Sequence, residues 1–224
     1  MRVDAEMTPG PALTSEAETV ERVWNAFALS AAVIAVIVVV LILYCVIRFR
    51  RRDDRLPAQI RQNIPIEIVY TAVPLAIVIV LFVITFVTTR TVNHVDAAEP
   101  DLVVDVTGFQ WNWTFDYPDL GVTVTGIERE RPELVLPSDA RVRFRVTSID
   151  VIHSFWIPGF RYKRDLIPGD VTEFDVDVLD RTGSFTNSGA CAEFCGLDHA
   201  YMRFDVRVLD AADFDAWAAE AGGT

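Results

Sequence analysis

Ser188-Gly-Ala-Cys-Ala-Glu-Phe-Cys-Gly-Leu-Asp-His-Ala-Tyr-Met202 gathers two thiols, an imidazole and a thioether in one short run: Cys191, Cys195, His199 and Met202. A carboxylate, Glu193, sits between the thiols. Thiolate and thioether donors beside an imidazole suit copper, whereas carboxylates and carbonyls suit harder ions. A mononuclear blue-copper site needs one Cys, two His and a weak axial Met. The additional thiol points to two coppers sharing two bridging sulfurs.

Other chemistries fit parts of this stretch. Cys191 and Cys195 could close a short disulfide in an oxidising compartment. A structural zinc takes Cys and His but has no use for Met202. The i, i+4, i+8 spacing of Cys191, Cys195 and His199 could also line one helical face. Gly189, Gly196 and the Asn187-Ser188 pair predict instead a loop between strands. The donor set taken whole favours copper. A second imidazole is then required, and the chain has three His. His94 lies among charged residues just outside an apolar span. His153, in Asp150-Val-Ile-His-Ser-Phe-Trp-Ile-Pro-Gly159, follows an alternating segment and is the better candidate.

The segments flanking these residues alternate with period two. Arg141-Val-Arg-Phe-Arg-Val146 puts three arginines on one face and Val142, Phe144 and Val146 on the other. Glu173 to Val178 and Met202 to Val208 repeat the pattern, which predicts half-buried antiparallel strands. Leu102 to Phe115 is rich in β-branched and aromatic residues. Turn signals at Pro158-Gly159 and Pro168-Gly169 separate short strands, as in a sandwich or barrel. Asn93 to Pro100 reads as a linker, and Ala211 to Ala221 as a short Ala-rich helix ending at Gly222-Gly223.

The N-terminal part is different in kind. Trp24 to Ile47 and Ile66 to Thr89 are apolar runs long enough to cross a bilayer of ~30 Å, the second with only Glu67 charged before its end. The first run is too long for a signal-peptide core, lacks a basic leader and ends in Arg48-Phe-Arg-Arg-Arg52, so it reads as a retained helix. Cys45 within it reads as a small hydrophobe. Pro74 is expected to bend or break the second helix. The intervening loop, residues 48–63, carries Arg48, Arg50, Arg51, Arg52, Arg55 and Arg61 against Asp53 and Asp54. Positive residues stay inside, which puts both termini and the C-terminal domain on the outer face. Residues 1–20 show no periodicity and are expected to form a flexible outer tail. The division expected is thus a tail (1–20), a two-helix transmembrane hairpin (21–95), an all-β domain (96–210) and a C-terminal helix and tail (211–224).

The formal net charge is −12, and from Asp101 onward 22 acidic residues face 11 basic ones. Such a surface either steers cationic partners or simply keeps the domain soluble, and it argues against nucleic-acid binding.

The loop Cys191-Ala-Glu-Phe-Cys-Gly-Leu-Asp-His-Ala-Tyr-Met202 resembles the dinuclear copper (CuA) motif of cytochrome c oxidase subunit II. His153-Ser-Phe-Trp-Ile-Pro and Gly108-Phe-Gln-Trp-Asn-Trp113 are similar to the same family, and the likeness runs from the first span onward. It implies a cupredoxin-like domain behind the helical hairpin. It implies that Cys191 and Cys195 bridge two coppers, that His153 and His199 each cap one, and that Met202 and the carbonyl of Glu193 make weak axial contacts. The Glu193 side chain then points to a magnesium or manganese ion at the boundary with the catalytic subunit. Trp111 becomes the electron-entry residue, with Trp113 as packing, and Asp150 a docking residue. Glu67, in Glu67-Ile-Val-Tyr-Thr71, marks the entrance of a proton pathway. Implied partners are the catalytic haem-copper subunit I, subunit III, accessory subunits, and a basic cytochrome c docking on the acidic face. Haem lies only in the partner, and the chain has no Cys-x-x-Cys-His for a c-type haem. The implied reaction is entry of electrons from cytochrome c for reduction of dioxygen to water with proton pumping, in what composition suggests is a bacterial cell membrane. A quinol oxidase subunit would lack the copper ligands. Nitrous oxide reductase carries the motif on a larger soluble chain. A copper carrier would need an open, exchangeable site.

Overall fold

The computed structural model describes residues 10–51 and 61–223. The described residues divide into two compact units, one of residues 10–20 with 91–223 and the other of residues 21–51 with 61–90. Most of two helices, α1 (Ser15–Arg48) and α2 (Ile64–Val92), lies in the second unit. At 34 and 29 residues and ~1.5 Å per residue, each exceeds the bilayer's hydrocarbon thickness. Val36, Leu41, Val73 and Phe82 are among many apolar side chains left exposed along them, as suits helices long and apolar enough to cross a membrane. α2 continues through Pro74 without a break. Residues 52–60 of the basic loop, including Arg52, Asp53, Asp54 and Arg55, lie outside the described residues.

The first unit is a sandwich of two five-stranded sheets. One sheet has the order β3-β2-β1-β5-β8, made of β1 (Leu102–Phe109), β2 (Asn112–Tyr117), β3 (Val122–Thr125), β5 (Ala140–Ser148) and β8 (Thr172–Val178). The other has the order β4-β10-β9-β6-β7, from β4 (Glu133–Pro137), β6 (His153–Ile157), β7 (Tyr162–Leu166), β9 (Gly183–Cys191) and β10 (Arg203–Leu209). Alternation in β5 and β10 is realised as expected: Val142, Phe144, Val146, Phe204, Val206 and Val208 are buried. Trp113, Phe115, Phe144, Phe155, Phe174 and Phe204 fill the space between the sheets, with Phe155 and Phe204 stacked at 5.1 Å across a 2° interplanar angle. Buried Tyr117 ties the sheets together, its hydroxyl donating to the Val135 carbonyl at 3.0 Å and accepting from the Val135 N–H at 2.9 Å. A helix, α3 (Ala211–Gly222), capped by Asp210, closes the chain.

Three expectations are corrected. The sheets are mixed rather than antiparallel: β1 runs parallel to β5, and β10 parallel to β4. Alternation reports which face is buried, and it is blind to the direction of the neighbouring strand. Asn187, Ser188 and Gly189 lie in β9, not in a loop. Asn187 and Ser188 lie in a β-bulge between Phe185 and Gly189, where Asn187 takes φ 54° and the pairing with β10 shifts between Phe204 and Val206, so the turn residues mark a kink within a strand. From residue 10 on, the expected flexible tail packs on the sandwich. Ala12, Leu13 and Thr14 are buried, Leu13 exchanges backbone bonds of 2.9 Å with Gly159 and Leu179, and Thr14 bridges to Val178. Residues 1–9 lie outside the described residues.

Candidate metal centre

β9 ends on Cys191 and β10 begins after Met202, so the thiol run spans one end of this sheet. β6, which pairs with β9 at Phe155↔Cys191, opens on His153 and brings its imidazole to the same end. The donors converge. Cys191 Sγ and Cys195 Sγ are 3.8 Å apart, His153 Nδ1 is 3.8 Å from Cys191, and His199 Nδ1 is 3.6 Å from Cys195. Met202 Sδ lies 3.7 Å from Cys195 Sγ, and the Glu193 carbonyl lies 3.1 Å from Cys191 Sγ. Ligand atoms of His153, Cys191 and Cys195 all fall within 4.8 Å of one another. His153 and Met202 are fully buried and the two thiols nearly so.

This geometry narrows the alternatives. The sulfurs stand well beyond the S–S bond length of about 2.05 Å, and both cysteines are free thiols. A helical face is excluded, because only His199–Tyr201 forms a single 3-10 turn. At a metal–thiolate distance of about 2.3 Å, two sulfurs 3.8 Å apart can both reach the same ion. The two sulfurs are therefore spaced to share an ion, and two imidazoles and a thioether surround them, a donor set that suits copper. Burial pushes the Cys195 thiol up to about 12, and the neighbouring Cys191 adds to the effect. A metal entering here displaces thiol protons.

Several supports hold the donors from behind. His153 Nε2 is 2.9 Å from Asp150 Oδ1, which leaves Nδ1 facing the sulfurs. Asp150 also accepts from the N–H groups of Gln110 at 2.7 Å and Val151 at 2.6 Å. Burial alone would raise its carboxyl, but the bonds from His153, Val151 and Gln110 hold it below the ordinary range. A side chain assigned to docking by resemblance is thus turned toward a candidate ligand. Trp111 is half-buried in the turn between β1 and β2, its Nε1 donating to the Cys195 carbonyl at 3.1 Å. Trp113 is fully buried, edge-on to Phe155 and Phe204. A depression of about 340 Å³ beside Trp111 is lined by residues including Gln110, Arg129, Asp198 and Tyr201. The Glu193 side chain is exposed and stands outside the donor cluster.

Glu67 belongs to the other unit, in the first turn of α2. Its Oε1 accepts from the Asn63 N–H at 3.0 Å, and Asn63 Oδ1 accepts from the Ile66 N–H at 3.4 Å. The pair is a reciprocal N-terminal cap. Gln110 and Gly108 escaped the sequence reading. Gln110 contacts the loop, and a Cβ on Gly108 would meet the His153 ring at 3.1 Å. Their place in Gly108-Phe-Gln-Trp-Asn-Trp113 was the signal available.

A two-helix membrane anchor, a β-sandwich and a Cys, Cys, His, His, Met cluster, buried except for half-buried His199, define a membrane-anchored protein of cupredoxin type. The family model for the cytochrome c oxidase subunit II periplasmic domain matches residues 123–209, and that for its transmembrane domain matches residues 4–88. Cytochrome c oxidase subunit 2 of Mycobacterium tuberculosis is 32% identical over 264 residues, covering 92% of this chain and 72% of the relative. The probable subunit 2 of Rickettsia bellii is 33% identical, covering 85% and 74%. Among solved structures, the periplasmic domain of subunit II (CoxB) of Bradyrhizobium japonicum superimposes with a TM-score of 0.50 at 35% identity, covering 57% of this chain and 98% of that one. The chain belongs to the cytochrome c oxidase subunit II family.

Proposed function

We propose that this chain is the electron-entry subunit of a proton-pumping cytochrome c oxidase. It accepts electrons from a cytochrome c at a dinuclear copper centre and delivers them to haem in the catalytic subunit, where dioxygen is reduced to water. The observation carrying this reading is the pair of buried thiols 3.8 Å apart, flanked by His153, His199 and Met202. Copper bound there supplies a one-electron change of oxidation state. Cys191 and Cys195 would hold it through their thiolates, His153 and His199 through their imidazoles, and Met202 Sδ and the Glu193 carbonyl as weaker donors. The protein keeps these groups dry and fixed, so that little has to move when charge changes.

Trp111 is the entry residue, because its ring is partly exposed and its Nε1 touches the Cys195 carbonyl. The acidic domain attracts a basic cytochrome c on the outer face of a bacterial cell membrane. Exposed Phe194 and Leu197, beside the outward-facing carboxylate of Glu193, suit the boundary with catalytic subunit I. There Glu193 contributes to a magnesium or manganese site shared between subunits. Subunit III and accessory subunits complete the assembly. Glu67, at a helix end, takes up protons from the inner side. Burial of Cys191, Cys195, His153 and Met202 speaks against a carrier that must release copper readily.

The deciding experiment is the electron paramagnetic resonance spectrum of the full chain, purified in detergent and loaded with copper. The full chain is required because residues 10–14 pack on the sandwich. Hyperfine structure from one electron shared by two copper nuclei supports the reading. A single-nucleus pattern, or no copper uptake, removes it.

A further inference from the structure

The Cys195 carbonyl accepts two hydrogen bonds from one turn: Gln110 Nε2 at 2.8 Å and Trp111 Nε1 at 3.1 Å. Gly196 follows with φ +119°, and a Cβ there would lie 3.1 Å from Trp111 Nε1 and 3.2 Å from Gln110 Nε2. The loop backbone is thereby allowed to reach both donors. At its other end the same glutamine donates its backbone N–H to Asp150 Oδ2 at 2.7 Å, and Asp150 Oδ1 holds His153 Nε2. One residue, Gln110, therefore stands between the thiol loop and the strand that carries His153. Gln110 is itself exposed, so no core packing explains these bonds.

We infer that Gln110 is a positioning residue of the metal centre, which locks the Cys195 side of the donor set to the His153 side. Its carboxamide sets the peptide plane at Cys195, from which Sγ reaches Cys191, His199 and Met202. Its N–H fixes the carboxylate that orients the His153 ring. Outer groups of this kind orient metal ligands, and their loss typically costs about 10–100-fold in affinity. The inference rests on the copper reading given above.

The test uses the full chain in detergent with Gln110→Met, which keeps the length of the side chain and removes its donor. The metal-free variant is expected to melt with the wild type, since the residue is exposed. The copper-loaded variant is expected to lose metal to a chelator at least about tenfold faster, with a hyperfine pattern no longer equal between the two nuclei. Unchanged chelator kinetics and spectrum would overturn the inference, as would a fall in metal-free melting temperature large enough to account for the loss. If Gln110→Met does not fold, Gln110→Asn, with the carboxamide on a shorter arm, is read by the same outcomes. If the wild-type chain takes up no copper, the copper reading fails separately. The metal-free protein then decides: Gln110→Met must speed alkylation of buried Cys195 several-fold, and an unchanged rate sinks the inference.

Discussion

Asp150 and His153 meet through a 2.9 Å contact between Oδ1 and Nε2, while Nδ1 of the same ring faces Cys191 Sγ at 3.8 Å. One carboxylate thus decides which imidazole nitrogen is offered to a metal. Asp150→Ala removes that control. We expect copper retention to fall by about 10–100-fold, with an altered copper spectrum at unchanged salt. A residue that only docked a cationic partner would behave differently. Its loss would leave the spectrum intact and change the salt dependence of reduction by cytochrome c.

Gly189 lies against Phe204, and a Cβ at this position would come within 2.1 Å of the ring. Phe204 cannot yield easily, because Trp113, Phe115 and Phe155 hold it on several sides. Gly189→Ala therefore overpacks the core and is expected to destabilise the sandwich by about 1–3 kcal/mol, read by chemical denaturation. An unchanged midpoint would mean that the bulge in β9 relaxes and takes up the methyl group.

How far these relationships could be read beforehand depends on their range along the chain. The donor cluster was legible because Cys191, Cys195, His199 and Met202 are close neighbours with one shared chemistry. The strands were legible because Val142, Phe144 and Val146 alternate with arginines. The bond from Gln110 to Cys195 spans 85 positions, and no local pattern encodes it. Ala12-Leu13-Thr14 is too short to carry a period, so its docking beside Val178 was hidden too. Asn187 was read as a loop signal, but a residue that tolerates positive φ serves a bulge as well as a loop.

Arg143 grips Asp175 with two bonds of 2.7 and 2.8 Å, and the Asp96 N–H adds a third at 2.9 Å. Burial by itself would raise the Asp175 carboxyl, but these bonds outweigh it and hold the group below its ordinary value. As pH falls, the unfolded chain takes up the proton first. The stabilisation is thus complete above the ordinary carboxylate range and disappears as pH drops through the lower folded value. Asp175→Asn is expected to cost about 2 kcal/mol at neutral pH and to flatten the acid side of the stability profile. Parallel pH profiles for variant and wild type would refute this.

Leu13 is buried against Gly159, where a Cβ on the glycine would lie only 2.8 Å from its side chain. Two backbone bonds and the Thr14 bridge continue the attachment. Leu13→Ala should cost about 2 kcal/mol, the lower end for a buried leucine, because the site lies at the margin of the core. A soluble domain begun at Asp101 would lack the whole segment and should melt lower than one to which a peptide of residues 10–20 has been added. Equal melting with and without that peptide would show the packing to be dispensable.

Met202 separates packing from chemistry at the metal centre. Its side chain is fully buried, and its Sδ stands 3.7 Å from Cys195 Sγ. Leucine has nearly the same volume, so Met202→Leu should change the stability of the metal-free protein by less than about 1.5 kcal/mol. What the substitution removes is a thioether sulfur beside Cys195, the kind of weak donor that would tune the potential of a copper–thiolate site. The variant is therefore expected to fold and bind copper, with a shifted reduction potential and an altered visible spectrum. A large loss of metal-free stability would make Met202 a core residue first. An unchanged potential would leave the thioether a bystander, with the thiolates and imidazoles alone defining the centre.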